Sequence, residues 1–506
     1  MDVPGFVAAF SLDRRRGAPL QEQLYRALRE AILGGRLRPG TRLPPTRALA
    51  ADLAVGRNTV VAVFEQLVDE GYLDARVGFG TSVAALPPEA LLQIRPTASQ
   101  KRTKGARPTL AGRGRALAEV RRPVAPMTTR AFQAGLPALD AFPTQTWARM
   151  LARRARTPTA TSLGYGYAAG FPALREAIAA YAGAARGVRC RPEQVIVTAG
   201  AQAGLDFVSR LLLDPGDRAW IEEPGYLGAR GALLAANATL VPVSLDADGI
   251  DVEAGARRAA DARLAYTTPS RQFPTGVTMS LARRLELIEW AARAGAWILE
   301  DDYESEYRYG GRPIPSMQGI DASGRVVYVG TFSKTMFPAL RVGYLVVPES
   351  LVGAFETAIR HTGHGAAVVV QAALADFLTE GHFARHVRRM RALYAKRQAR
   401  LVEAARRMLG GLAVVHPADA GMHVNAELPR GTDDGAVAAA AAELGVVVRT
   451  FSSHCLERPK RGGLLLGYAG VPEPEIEPAV AKLAQALERA RPRRRRRASS
   501  PPRSRP

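Results

Sequence analysis

The sequence predicts two units: an N-terminal winged helix-turn-helix, mostly α with a β wing, and a C-terminal α/β domain carrying a small α+β lobe. Three observations lead there. The 506 residues are 47% hydrophobic, enough for more than one core at roughly 150 residues per domain. Helix-period spacing dominates residues 18–70, whereas short apolar runs alternate with helical patterns from residue 195 to 347. The formal charge of +22 is concentrated at the ends. Residues 1–125 hold 20 basic and 11 acidic side chains, residues 491–506 hold 8 basic and none acidic, and the rest hold 41 and 36. A basic arm on a nearly balanced body is the footprint of nucleic-acid binding.

Leu20, Leu24, Leu28 and Ile32 recur at four-residue spacing, which predicts an amphipathic helix over 18–34 ended by Gly34-Gly35. Helices over 46–53 and 58–70 follow, separated by a tight turn at Val55-Gly56, with Leu49, Leu53, Val60, Val63, Phe64 and Leu67 as their shared core. Two β-prone pieces, 72–75 and 81–83, flank a glycine-containing tip. Residues 85–127 lose apolar periodicity and gain Pro, Arg, Lys, Ser and Thr, the composition of a flexible linker. Strands are expected over 195–198, 219–222, 264–267, 297–300, 326–329 and 343–347, around a helix over 282–294, forming a largely parallel sheet. A long helical region over 361–409 and the small lobe complete residues 128–490, and the Arg-rich stretch 491–506 reads as a disordered polycation. The winged unit occupies 1–84.

Cys190 and Cys455 cannot build a disulfide framework, and no Cys/His cluster has zinc spacing, so no metal site and a reducing cytoplasm are expected. The N-terminus has no signal-peptide pattern, and no apolar run reaches the ~20 residues that span a bilayer. Arg57, Asn58 and Thr59 open the second helix of the pair, where side chains enter the major groove, and Arg47 on the preceding helix meets phosphate. Arg42, Arg76 and the wing glycine Gly78 add backbone or minor-groove contacts. Singly, each arginine reads as a solvated charge; together they point to double-stranded DNA.

The landmarks Gly35-Arg36-Leu37, Arg47-Ala48-Leu49-Ala50, Arg57-Asn58-Thr59-Val60, Gly71-Tyr72-Leu73 and Gly78-Phe79-Gly80-Thr81 resemble the GntR-type winged-helix family. Gly56 and Phe79 depart from it, standing where serines are usual. Downstream, Leu299-Glu300-Asp301-Asp302-Tyr303 ends an apolar strand, and Gly330-Thr331-Phe332-Ser333-Lys334-Thr335 precedes Arg341 by a short interval. A lysine among hydroxyls and a phosphate clamp suits bonding to an aldehyde. These residues resemble fold-type I aminotransferases that use pyridoxal phosphate (PLP). The resemblance implies that Lys334 bonds the cofactor aldehyde, Asp301 pairs with the pyridine nitrogen, with Asp302 as the alternative carboxylate, and Tyr303 meets the ring 3-oxygen. It further implies a phosphate site of Thr331, Ser333, Arg341, Gly200, Ala201 and Gln202, stacking by Tyr226, and Tyr165 reaching the phosphate across a dimer interface.

The two halves in this order resemble the MocR subfamily of transcriptional regulators, implying a homodimer in which a small-molecule effector alters DNA binding. Leu465 stands where relatives place an arginine that forks onto a substrate carboxylate, which a leucine cannot do. The effector is therefore expected to be PLP itself, with control of PLP biosynthesis; Arg271 and Arg449 are the candidate substitutes if an amino acid or amine is sensed instead. An active aminotransferase with an accessory DNA-binding domain is the competing reading.

Overall fold

The computed structural model describes residues 12, 18–76, 79–85, 109–120, 131–310, 314–457 and 462–490. Gly78, most of the expected linker and the Arg-rich tail lie outside the described residues. Two units divide after residue 108.

In the first, α1 (Leu20–Leu33), α2 (Thr46–Asp52) and α3 (Arg57–Asp69) precede an antiparallel hairpin, β1 (Leu73–Arg76) and β2 (Gly80–Val83). The four-residue spacing buries Leu24, Leu28 and Ile32 of α1 against Leu49, Val60, Val63, Phe64 and Leu67, with Leu73 and Val83 of the hairpin closing the core. The α2–α3 turn places Ala54, rather than Val55-Gly56, in the left-handed region at φ 52°. Gly56 caps α3 in an extended conformation with no side-chain hydrogen bond. The missing serine oxygen costs only a few tenths of a kcal/mol at such a position.

In the second unit, α4 (Gly112–Glu119) forms inside the segment expected to be linker. The body is an eight-stranded sheet in the order β3-β10-β9-β8-β7-β4-β5-β6. Its strands are β3 (Val195–Thr198), β4 (Arg218–Glu223), β5 (Thr239–Asp246), β6 (Gly249–Ile250), β7 (Leu264–Thr267), β8 (Trp297–Asp302), β9 (Val326–Thr331) and β10 (Gly343–Val346). Most are buried throughout, which is why they read as continuous apolar runs. The sheet is mixed: β10 runs antiparallel to both β3 and β9. Its start therefore lies at the same edge as their ends. Strand β5 escapes the apolar-run signal because only Val243 of its eight residues is buried. Flanking helices include α5 (Ala201–Leu212), α6 (Leu227–Ala235) and α7 (Leu281–Ala294).

The helical region expected over 361–409 divides into Val352–Thr362, Val368–Thr379 and His382–Met408, interrupted at Gly363 and Gly381. The small lobe pairs β11 (Val414–Val415), β12 (His423–Glu427), β14 (Gly463–Gly467) and β13 (Arg449–Thr450) in that order. No helix among the described residues is long and apolar enough to cross a membrane.

Candidate cofactor site and DNA-binding surface

A cavity of about 290 Å³ opens where β3, β8 and β9 end and β10 begins, the edge at which α/β sheets bind ligands. After β3 the chain turns at Gly200, whose φ of +92° suits glycine, and enters α5. The first N–H groups of a helix lack intrahelical acceptors, so Ala201 and Gln202 present an anion-binding end. Strand β9 delivers Thr331, and the Ser333 N–H donates to Thr331 Oγ1 at 3.2 Å. Arg341, left-handed at φ 53° just before β10, approaches this turn: a Cβ on Gly200 would lie 4.0 Å from both its backbone and its guanidinium carbon. The reversed strand thus brings a second turn to the first.

On β8 the two adjacent aspartates serve different sides. Asp301 lines the cavity; its Oδ2 accepts from Tyr266 Oη at 2.8 Å, while Oδ1 is buried without a hydrogen-bond partner. Asp302 accepts from Arg186 Nε at 2.6 Å and Tyr328 Oη at 2.9 Å. Of the two, Asp301 is the carboxylate that lines the cavity. Burial pushes the Asp301 carboxyl up to about 7, against the opposing Tyr266 hydrogen bond and aided by the Asp302 charge. The Tyr303 hydroxyl is likewise buried, with no geometric hydrogen-bond partner.

Lys334 Nζ donates to the carbonyl of Gly135 at 2.8 Å. Gly135 has φ +81°, and a Cβ there would lie 2.7 Å from Nζ, so the lysine depends on a glycine the sequence reading did not single out. Tyr226 meets Phe273 edge to face at 5.9 Å, and Gln202 Nε2 donates to the Gly228 carbonyl at 2.8 Å. Lys334, Asp301, Tyr303, Tyr226, Gly200, Ala201, Gln202, Thr331, Ser333 and Arg341 all line the one cavity. Tyr165 does not; it is fully exposed in the single chain. Tyr266, Glu304, His423 and His454 were missed, and Tyr266 carried a readable signal as a phenol in an otherwise apolar strand. Burial holds His423 well below the usual imidazole range, with Arg271 adding to it, and holds His454 at about 4. Both rings are neutral at pH 7.

Arg271 is not a carboxylate site. It is buried, with Nε 2.8 Å from Glu304 Oε1, and its guanidinium donates to the carbonyls of Ala420 and His423. Arg449 does line the cavity and stands opposite Leu465 in the β13–β14 register. Leu465 is fully buried beside Ala134 and Phe273.

In the first unit, Arg57 and Asn58 are exposed on the first turn of α3 beside half-buried Thr59, and Arg47 is exposed on α2. Arg42 donates to the carbonyl of Phe79, whose ring is 74% exposed on the wing, and Arg76 is exposed at the end of β1.

The model for bacterial regulatory proteins of the gntR family matches residues 20–83, and that for aminotransferase class I and II matches residues 135–483. The chain is 45% identical over 476 residues to the probable rhizopine catabolism regulatory protein MocR of Rhizobium meliloti, covering 94% of this chain and 95% of the relative. It is 28% identical over 480 residues to the pyridoxine biosynthesis transcriptional regulator PdxR of Corynebacterium glutamicum, covering 94% and 98%. Pyrococcus horikoshii kynurenine aminotransferase, solved in complex with PMP, aligns with a TM-score of 0.66 and 26% identity over 79% of this chain and 98% of that one.

A winged helix joined to an aminotransferase-fold body defines a DNA-binding transcription regulator with a PLP-dependent, aminotransferase-like domain. The chain belongs to the MocR-type regulators of the gntR family. PLP is the cofactor of this fold, and the residues fit it. An unpartnered carboxylate oxygen on Asp301 and the buried phenol of Tyr303, both lining the cavity, offer contacts for a ring, and the Gly200 and Arg341 turns converge where an anion would sit. When bound, PLP supplies an aldehyde able to bond a lysine amine.

Asp301→Asn is expected to weaken PLP binding about 10–100-fold, since a hydrogen bond to a charged group is worth about 1.5–3 kcal/mol. A folded-state carboxyl at about 7 binds more protons than the unfolded chain between pH 4 and 7. Cofactor-free wild type therefore loses stability as pH rises through that window, and the asparagine variant loses less. Thermal unfolding with and without PLP, from pH 4 to 8, checks both signs.

Proposed function

We propose that this regulator holds PLP covalently on Lys334 and that PLP occupancy itself alters DNA binding, as a control on PLP biosynthesis. Leu465 carries this reading. A buried leucine among Ala134 and Phe273 occupies the position of the carboxylate fork, so a bound amino acid lacks its usual anchor there. In this assignment Asp301 and Tyr303 fix the ring, Tyr226 stacks on it, and Thr331, Ser333, Arg341 and the Gly200–Gln202 turn take the phosphate. The active form is a homodimer, with the exposed Tyr165 turned toward the neighbouring copy's phosphate. Arg57, Asn58 and Thr59 read bases, Arg47 meets phosphate, and Arg42, Arg76 and Gly78 serve the wing's contacts. The domain boundaries proposed are 1–84, 85–127, 128–490 and 491–506, with α4 lying in the second and packed on α6 of the third.

Arg449 favours a second reading, an amino-acid or amine effector, because it lines the cavity opposite Leu465. The name of the R. meliloti relative, which refers to rhizopine catabolism, fits an effector other than PLP.

Binding to the DNA upstream of the protein's own gene, at fixed salt, separates these readings. Cofactor-free protein, PLP-loaded protein, and loaded protein with a panel of amines and amino acids are compared. A shift with PLP alone supports PLP sensing; a shift only on adding an amine rejects it. Efficient steady-state transamination of ordinary amino acids would instead make the chain an enzyme. Leu465→Arg restores a guanidinium to the fork position and is expected to create an amino-acid-dependent change in the cofactor spectrum, absent or at least tenfold weaker in wild type, on the scale of one ion pair. No such change in a folded, PLP-loaded variant removes the argument from Leu465.

A further inference from the structure

Helix α4 has little reason to form alone. It spans eight residues, Gly112 and Gly114 are among them, and none of its residues is buried. Isolated helices below about 12–15 residues are marginal in water, and an interior glycine costs about 1 kcal/mol relative to alanine. Its order comes from contact with the body. Leu117 reaches Gly231 on α6, where an added Cβ would touch Leu117 Cδ1 at 3.5 Å. Beside this contact runs a groove of about 400 Å³ whose walls include Leu117, Val120, Gln202, Leu227 and Arg341.

Gln202, Leu227 and Arg341 also line the cofactor cavity. The two spaces are therefore separated by a wall one side chain thick. Gln202 is bonded through Nε2 to the Gly228 carbonyl on α6, while its Oε1 is buried without a hydrogen-bond partner. A Cβ on Gly228 would lie 2.3 Å from that Oε1, so Gln202 packs directly on the α6 backbone.

We infer that the α6 face at Gly231 is the docking surface for the chain's own α4, the groove being the space left beside that contact, and that occupancy of the phosphate end of the cofactor cavity tightens the docking. The inference rests on reading the cavity as a PLP site. An anion held by Arg341 and the start of α5 fixes the side chains that form the shared wall, and a fixed wall costs α4 less ordering on docking. Docked, α4 holds residues 112–119 to the body through α6. The cavity thus controls where the path to the DNA-binding unit begins.

Linkage makes this testable without DNA, because if PLP tightens docking by some factor, loss of docking weakens PLP binding by the same factor. In the full-length protein, hydrogen exchange of the 112–119 amides is measured with and without PLP, loading being followed by absorbance. Protection is expected to rise at least about fivefold with PLP, the lower end of ordinary coupling between sites. Leu117→Asp, at a side chain 42% exposed and outside the cofactor contacts, is expected to abolish that protection and to weaken PLP binding by the same factor. Leu117→Met should retain both. Unchanged exchange in protein shown to be PLP-loaded overturns the inference, as does a Leu117→Asp variant with wild-type PLP affinity. If α4 responds to PLP while DNA affinity does not, the docking stands and the PLP-sensing proposal falls. If DNA affinity responds while α4 does not, the reverse holds.

Discussion

Lys334→Ala is expected to eliminate covalent attachment of PLP: borohydride treatment fixes the cofactor to wild type and leaves the variant unlabelled. The variant should remain folded, because the hydrogen bond that Lys334 Nζ donates to the Gly135 carbonyl is a small part of the stability of so large a body. Such a bond contributes about 1 kcal/mol net. Non-covalent PLP binding through Asp301 and the phosphate turns is expected to persist at reduced affinity. Any PLP-dependent change in DNA binding then shows whether the covalent bond or mere occupancy is sensed. A variant that still takes up the borohydride-stable label would move the attachment to another lysine and remove Lys334 from the assignment.

Arg271→Ala is expected to cost about 3–5 kcal/mol of stability, the usual result of deleting one partner of a buried ion pair. Glu304, with only 1% of its surface exposed, would be left with an uncompensated carboxylate, and the carbonyls of Ala420 and His423 would each lose a donor. Because those carbonyls belong to the small lobe and its approach, the loss loosens the lobe against the sheet. Glu304→Gln in the same background should recover part of the deficit, since a neutral amide replaces the stranded charge. Arg271→Lys should not, because an ammonium cannot span Glu304 and two carbonyls as a planar fork does. Urea unfolding of the three variants measures the effect; a loss under 1 kcal/mol for Arg271→Ala would show the pair to be dispensable.

Arg271 also marks where sequence reasoning failed. It follows Ser270 in a Pro-containing loop, and a lone arginine there looks available for a ligand. Only the tertiary fold reveals that Glu304, thirty-three residues later, occupies it. Lys334 and Asp301, in contrast, were legible because both follow apolar runs that could only be buried strands, so their side chains had to emerge at the sheet edge. The choice of Asp301 over Asp302 rested on family spacing; in the structure Asp301 lines the cavity while Asp302 is bonded to Arg186 and Tyr328. Gly135 was invisible because its role is to make room for a lysine 199 positions away. Helix α4 was hidden by composition, its glycines and arginines predicting a coil that docking overrides. The winged unit was read almost whole, since its contacts are local and its helices carry plain apolar periods, as Leu24, Leu28 and Ile32 do in the first and Val60, Val63, Phe64 and Leu67 in the third.

That difference in locality has a consequence during synthesis. The winged unit closes its core with residues up to Val83, whereas the cavity needs Gly135, Gly200, Arg341 and His454 together. At about 5–20 residues per second, the ribosome takes on the order of half a minute to travel from one point to the other. Throughout that interval the nascent chain carries a completed winged unit while the cofactor cavity does not yet exist.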